Sequence, residues 1–321
     1  MRAGVAVRAP KAHSATSAVS TATTVGSVRL ANPVCTASGT AGRSLELDPY
    51  MDLASLGAFV TKSLSAVPWP GNPAPRLVPS GEGMLNSVGL QGPGVQAWLE
   101  RDLPGLCERG ITTVVSIWGR TVEEFAMAAT MLGDAPSSVV AVEANVSCPN
   151  LEDRRKMFAH SPSATAEVVE ACLGAKRPVW AKLSPNVSDI AEIAAAARGA
   201  GAEAVVLVNT LLAMAIDVTR RRPHLGGVGG GLSGRPLHAV AVRAVWDVWE
   251  SAPGEPIIGV GGVWDANSAL ELILAGASAI QVGTASFLDP AAAVKVLEAM
   301  VSFCEGEGVG SVAELVGEAH R

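Results

Sequence analysis

Paired cysteines, aromatic bulk and charge are all in short supply in this 321-residue sequence. Its five cysteines, Cys35, Cys107, Cys148, Cys172 and Cys304, are odd in number, far apart and never in a C-x-x-C pair. That excludes a disulfide framework and a zinc or iron-sulfur cluster held by this chain alone. The five histidines (His13, His160, His224, His238, His320) show no H-x-x-x-H spacing, so no metal site is expected. Charged residues make up 17%, with 30 acidic against 24 basic for a net charge of -6 and no long basic run. Nucleic acid is thereby excluded as the main partner. No uninterrupted apolar segment approaches the roughly 18 to 20 residues of a membrane span, which excludes the membrane as well. Small and apolar residues are plentiful instead: 49% hydrophobic, with 34 glycines, 20 prolines and a mean hydropathy of +0.32. Such a chain can bury a large core, which rules out a disordered or fibrous protein over most of its length.

Residues 1–26 are rich in Ala, Ser, Thr and Val and contain no acidic residue. They read as a flexible tail on a cytoplasmic protein; an organelle transit peptide has a similar composition, whereas the apolar stretch of a secretory signal is missing. Residues 27–321 then form one domain.

Within that domain, short apolar runs recur at Asn32 to Ala37, Ala58 to Lys62, Thr112 to Ile117, Val139 to Asn145, Pro178 to Lys182, Ala204 to Asn209, Pro256 to Val260 and Ala279 to Val282. They lack polar alternation, as strands buried on both faces do. Helical spacing of apolar residues marks Val122 to Leu132, Ala164 to Leu173, Ile190 to Ala200, Leu237 to Trp249 and Ala266 to Ala275. About eight strand-then-helix units predict a (β/α)8 TIM barrel. The rival, an open doubly wound sheet, needs a G-x-G-x-x-G turn after its first strand, and none is present.

A barrel of this kind builds its active site from the C-terminal strand ends. The residues found there are Ser38 and Gly39, Lys62 and Ser63, Ser116, Asn145, Lys182, Asn209 and Thr210, Gly261 and Gly262, and Gly283 and Thr284. Lysines and amides without matching carboxylates suit a planar, anionic ligand, and late glycine clusters suit a phosphate, because backbone free of Cβ atoms lets several N–H groups converge on one anion. The most specific string is Asn145-Val-Ser-Cys-Pro-Asn150, which offers two amides around a thiol. A free cysteine is most often a small buried hydrophobe, but its thiolate can take a proton from a weakly acidic carbon.

The strings Asn32-Pro-Val-Cys-Thr-Ala-Ser-Gly39, Thr61-Lys-Ser63, Gly71-Asn-Pro-Ala-Pro-Arg76, Asn86-Ser-Val-Gly-Leu90, Asn145-Val-Ser-Cys-Pro-Asn150, Ala181-Lys-Leu-Ser-Pro185, Val208-Asn-Thr210, Gly230-Gly-Leu-Ser-Gly234, Gly259-Val-Gly-Gly262 and Gln281-Val-Gly-Thr284 stand in one order from about residue 27 to 290. Together they resemble class 1 dihydroorotate dehydrogenase, and Gly71 to Arg76 with Gly230 to Gly234 resemble subclass 1B. The resemblance implies an FMN barrel that oxidises dihydroorotate to orotate in pyrimidine synthesis. It implies that Cys148 takes the C5 proton while flavin N5 takes the C6 hydride. Lys62, Asn86, Asn145, Asn150, Asn209 and Thr210 match substrate-contacting positions, with the backbone of Val88, Gly89 and Leu90 nearby. Ala37, Ser38, Lys62, Ser63, Asn145 and Lys182 match positions along the flavin, and Gly234, Gly261, Gly262, Gly283 and Thr284 match its phosphate site. Taken singly, such lysines could be surface side chains and such glycines plain turns.

Subclass 1B further implies a homodimer, assembled into a heterotetramer with a second subunit that carries FAD and a [2Fe-2S] cluster and passes electrons to NAD. Alternatives are a dihydropyrimidine dehydrogenase-like flavin barrel, against which Asn150 speaks, a tRNA dihydrouridine synthase, against which the acidic balance speaks, and a non-redox phosphate-binding barrel. Leu151 to His160, where the family carries a mobile lid, is richer in charge than the family form. Cys35 reads as core packing, and His238 and Trp69 receive no catalytic role.

Overall fold

A computed structural model of the chain describes residues 19–147 and 157–321. Eight parallel strands form its centre: β1 (Val34–Thr36), β2 (Phe59–Val60), β3 (Thr113–Ile117), β4 (Val139–Asn145), β5 (Val179–Lys182), β6 (Ala204–Leu207), β7 (Ile257–Val260) and β8 (Ala279–Val282). From β2 onward each pairs in parallel with the next, and β8 pairs with β1. The ring closes between β1 and β2 through a bridge at Cys35 and Ala58, where the Thr36 hydroxyl accepts from Val60 N at 2.8 Å. The fold is a (β/α)8 TIM barrel.

Helices α1 (Val95–Arg101) and α2 (Leu103–Glu108) follow β2, and α3 (Val122–Met131), α4 (Pro162–Cys172), α5 (Ile190–Gly199), α6 (His238–Ser251), α7 (Ala266–Leu274) and α8 (Ala292–Glu307) follow the later strands in turn. Local chemistry sets where several begin. Thr121 accepts from Glu124 N to start α3, Asp189 from Glu192 N to start α5, and Asp265 forms a capping box with Ser268 at α7. Their apolar faces pack on the outside of the strands in one large core. No helix among the described residues is long and apolar enough to cross a membrane.

Inside the barrel a second core surrounds Trp180, with Ala58, Ala141, Ala204 and Ala279 among its members. One large ring among four alanines occupies the narrow lumen. Two antiparallel strands, Thr23–Val25 and Val28–Leu30, contribute Val25, Val28 and Leu30 to that same cluster. The structure does not follow the expected tail boundary at residue 26: the paired strands span it, and Thr23 Oγ1 donates to Ser278 O at 2.8 Å. Gly26, at φ +60°, makes the turn between two alternating apolar strands, a pattern hidden by the Ser/Thr/Ala-rich composition upstream.

A four-stranded antiparallel sheet adds strands that the sequence reading did not anticipate. Its order is Leu211–Ala213, Gly230–Gly234, Gly83–Asn86, Leu77–Ser80, and it joins the segment after β2 to the segment after β6.

Candidate active site

At the C-terminal strand ends the barrel opens into a cavity of about 420 Å³, with residues of the antiparallel sheet on its wall. Polar side chains enter it from β4 and β5 because alternate strand residues face the lumen: Ala141, Glu143 and Asn145 on β4, and Trp180 and Lys182 on β5, with Asn145 paired to Lys182 in register.

Asn145 is held from three sides. Its Nδ2 donates to Ser63 Oγ at 3.3 Å, and its Oδ1 accepts from Asn209 Nδ2 at 3.1 Å and from Ser147 N at 3.2 Å. Ser63 is in turn within 2.9 Å of Ser116 Oγ, which places Ser116 as a buried support. Asn209 Oδ1 accepts from Thr210 N at 2.8 Å, and Asn86 Nδ2 donates to Gly231 O at 3.2 Å.

Two lysines line the cavity and their surroundings differ. Lys182 donates to Ser38 Oγ at 3.1 Å and to Gln281 Oε1 at 3.0 Å, and lies 3.6 Å from Glu143 Oε1. Lys62 has no ion-pair partner among the described residues; burial, then the nearby Arg43 and Arg76, pull its pKa below the usual lysine range. A cation in that position attracts an anionic ligand, which would supply the missing countercharge.

Opposite the amides, three loops converge. Gly262 has φ +63°, and a Cβ there would come within 2.7 Å of His238 Cβ and 2.9 Å of Gly234 O. Gly234, at φ +87°, precedes the turn Arg235–Leu237 that leads into α6. Thr284 opens the turn Thr284–Phe287, whose first N–H groups have no partner within the turn, and its hydroxyl donates to Ser233 Oγ at 2.9 Å. Crowded backbone with N–H groups left over by the turn fits a phosphate and leaves no room for side chains. Among the described residues no cluster of three or more His, Cys, Asp or Glu is placed to hold a metal.

A family model described as dihydroorotate dehydrogenase matches residues 20–303. The chain belongs to the dihydroorotate dehydrogenase family. It is 49% identical over 304 residues to the catalytic subunit of dihydroorotate dehydrogenase B (NAD(+)) from Desulforudis audaxviator, covering 94% of this chain and 98% of that one. It is 47% identical over 294 residues to the protein of the same description from Trichlorobacter lovleyi, covering 91% and 96%. With that from Pelobacter propionicus it shares 46% over 291 residues, covering 90% and 95%.

The positions singled out by the family resemblance gather in this one cavity: Ala37, Ser38, Lys62, Ser63, Asn86, Val88, Gly89, Leu90, Asn145, Lys182, Asn209, Thr210, Gly234, Gly261, Gly262, Gly283 and Thr284 all line it. Cys148 and Asn150 lie outside the described residues. The sequence reading missed Thr40, Leu77, Met84, Val208, Ser233, Leu237, Val260 and Phe287, which also line the cavity. Leu77, Met84 and Ser233 arrive through the antiparallel sheet, and no strand-end rule locates them. Cys35 is fully buried, and burial pushes its thiol up to about 12, which suits packing. His238 lies beneath the glycine loop, with Nδ1 2.9 Å from Gly261 O and Nε2 2.8 Å from Glu271 Oε2. Trp69 packs edge-on against Trp118 beside Arg120, away from the cavity wall.

Proposed function

We propose that this chain is the FMN-bearing catalytic subunit of a dihydroorotate dehydrogenase and oxidises dihydroorotate to orotate in pyrimidine synthesis. The observation that carries the reading is one cavity with a lysine that has no ion-pair partner among the described residues and a set of amides at one end, and crowded glycine backbone at the other. The first end suits a carboxylate attached to an imide-like ring, and the second suits the phosphate of a cofactor. When bound, FMN would supply a hydride acceptor at N5.

The chain's own residues do the rest. Lys62 holds the substrate carboxylate, and Asn86, Asn145 and Asn209 orient the ring through its amide edges. Lys182 would hold a positive charge beside the cofactor, where reduction adds negative charge. Gly234, Gly261, Gly262, Gly283 and Thr284 would hold the phosphate, and Ala37, Ser38 and Ser63 the ring system. Cys148 takes the C5 proton as the C6 hydride leaves, so substrate loses two electrons and two hydrogens in forming the double bond. Asn150 joins the substrate contacts.

A separate subunit carrying FAD and a [2Fe-2S] cluster would supply the path to NAD, since the cysteine spacing here provides no cluster of its own. The complex is a cytoplasmic heterotetramer built on a homodimer of this chain. The first test is an anaerobic absorbance scan of the purified chain before and after dihydroorotate. Bleaching of the visible flavin band is the expected result. Bleaching by dihydrouracil and not by dihydroorotate would move the assignment to another flavin barrel, and a colourless chain unable to take up FMN would overturn it.

A further inference from the structure

Below the cavity floor lies a buried acid that the reaction above does not use. Glu143 is on β4, two residues before Asn145, and is 0% exposed inside the barrel. Its Oε2 accepts from Gln281 Nε2 at 2.7 Å, while its Oε1 accepts no hydrogen bond among the described residues and faces Lys182 Nζ at 3.6 Å. Gln281 bridges the pair, because its Oε1 accepts from the same Lys182 Nζ at 3.0 Å. Lys182 is 3% exposed, and its ammonium reaches the cavity wall beside Ser38.

Burying two charges costs more than filling the same space with apolar side chains, so a pair with one oxygen short of a hydrogen bond is a poor device for stability. It is a good device for holding a charge at a chosen place. Burial pulls the Lys182 pKa below the usual lysine range, and the Glu143 carboxylate acts in the opposite direction. Without a carboxylate beside it, a lysine in the dry lumen of a barrel sheds its proton. Ser38 and Gln281 carry no charge and cannot replace it.

We propose that Glu143 is a positioning residue for the cofactor's electron affinity: it keeps Lys182 protonated and, with Gln281, aimed at the cofactor edge, so that the reduced flavin is stabilised from below. This rests on the FMN reading given above. Gln281 sets the angle and Glu143 sets the charge. Neither touches substrate.

The test compares the flavin-bound chain with its Glu143→Gln variant, a change that keeps the size of the side chain and an acceptor for Gln281 Nε2. Two equilibrium readouts are used: the flavin midpoint potential at neutral pH, and the affinity for sulfite, which adds at flavin N5 and leaves negative charge on the pyrimidine side. Glu143→Gln is expected to lower sulfite affinity at least tenfold and to shift the midpoint by about 30 mV or more to the negative, the two-electron equivalent of a tenfold change. In the double variant Glu143→Gln, Lys182→Met neither readout should move much further, because the lysine has already lost its charge.

An unchanged potential and sulfite affinity in a flavin-bound Glu143→Gln variant overturns the proposal. So does a positive shift, which would mean that Lys182 stays charged and Glu143 merely offsets it. If Glu143→Gln alone does not fold, recovery of the fold in the double variant supports the dependence of the lysine on Glu143, and failure of both overturns it. A wild-type chain that takes up no flavin would be recognised separately, by its lack of colour, and would remove the functional reading together with this one.

Discussion

Asn209 donates from Nδ2 to Asn145 Oδ1 at 3.1 Å, tying the loop after β6 to the end of β4 across the barrel mouth. The bond fixes which way both amides point, since Asn145 Nδ2 is turned to Ser63 and Asn209 Oδ1 to Thr210 N. Asn209→Ala removes one ligand-facing amide and loosens the other. A loss of about 1–3 kcal/mol is expected, or roughly five- to more than a hundredfold in the KM for dihydroorotate. Flavin content should stay unchanged, which separates this variant from one that damages the cofactor site.

Lys62→Met should weaken orotate by about 1.5–3 kcal/mol, the range for a hydrogen bond to a charged group. The pH dependence follows from the lowered pKa. Below that pKa the side chain is charged and holds the anion; as pH rises through it, the charge and the affinity are lost together. Orotate titrations should therefore weaken at a pH below the usual lysine range in the wild type and show no such limb in Lys62→Met. Equal affinities in the two proteins would displace Lys62 from the substrate site.

Cys148→Ala should leave FMN bound and slow the reduction of flavin by dihydroorotate by orders of magnitude, on the order of the 10²–10⁴-fold typical of a general base. Stopped-flow mixing without oxygen reads this directly. An unchanged rate would remove Cys148 as the base.

Gly262→Ala places a Cβ within 2.7 Å of His238 Cβ and 2.9 Å of Gly234 O, at a φ of +63° that suits glycine. The neighbouring atoms are backbone and the root of a buried side chain, so relief requires the loop to move. The expected outcome is a chain that folds but purifies with a markedly reduced flavin-to-protein ratio. Full occupancy would show that the loop is not part of the phosphate grip.

Thr36→Val tests how the barrel is closed. The substitution keeps the shape of the side chain but takes away the acceptor of the buried Val60 N–H. Leaving that donor unsatisfied costs about 1–3 kcal/mol, which denaturant unfolding would detect as a lower midpoint.

The eight strands were legible because a strand buried on both faces has little choice of residues. Val139 to Asn145 and Ala279 to Val282 begin and end in the structure where their apolar runs do. Glycine concealed the rest. Gly230–Gly234 has three glycines in five residues and no alternation, so it reads as a loop, yet the segment is paired on both sides. The hairpin at Thr23 to Leu30 was masked by composition, and α2 by Pro104 and Gly105. At the site, Lys62, Asn145, Lys182 and Asn209 follow from their strand-end positions, whereas Ser233 and Met84 depend on pairing between distant segments. Glu143 was visible only as one acid in an apolar run, and its partner Lys182 is 39 residues away in sequence, on the neighbouring strand.

The pairing of Gly83–Asn86 with Gly230–Gly234 also works as a ruler. Asn86 sits opposite Gly231 at one end, and Gly83 opposite Gly234 at the other. Three residues of strand separate the two pairs, or roughly 10 Å at about 3.3–3.4 Å each. The amide end of the cavity is thus held at a set distance from the glycine end by counting residues, and not by the reach of any flexible side chain. A slip of one residue would turn Asn86 to the opposite face and change the spacing together. Length discrimination among bound molecules would then be a property of backbone register, beyond the reach of any single side-chain replacement.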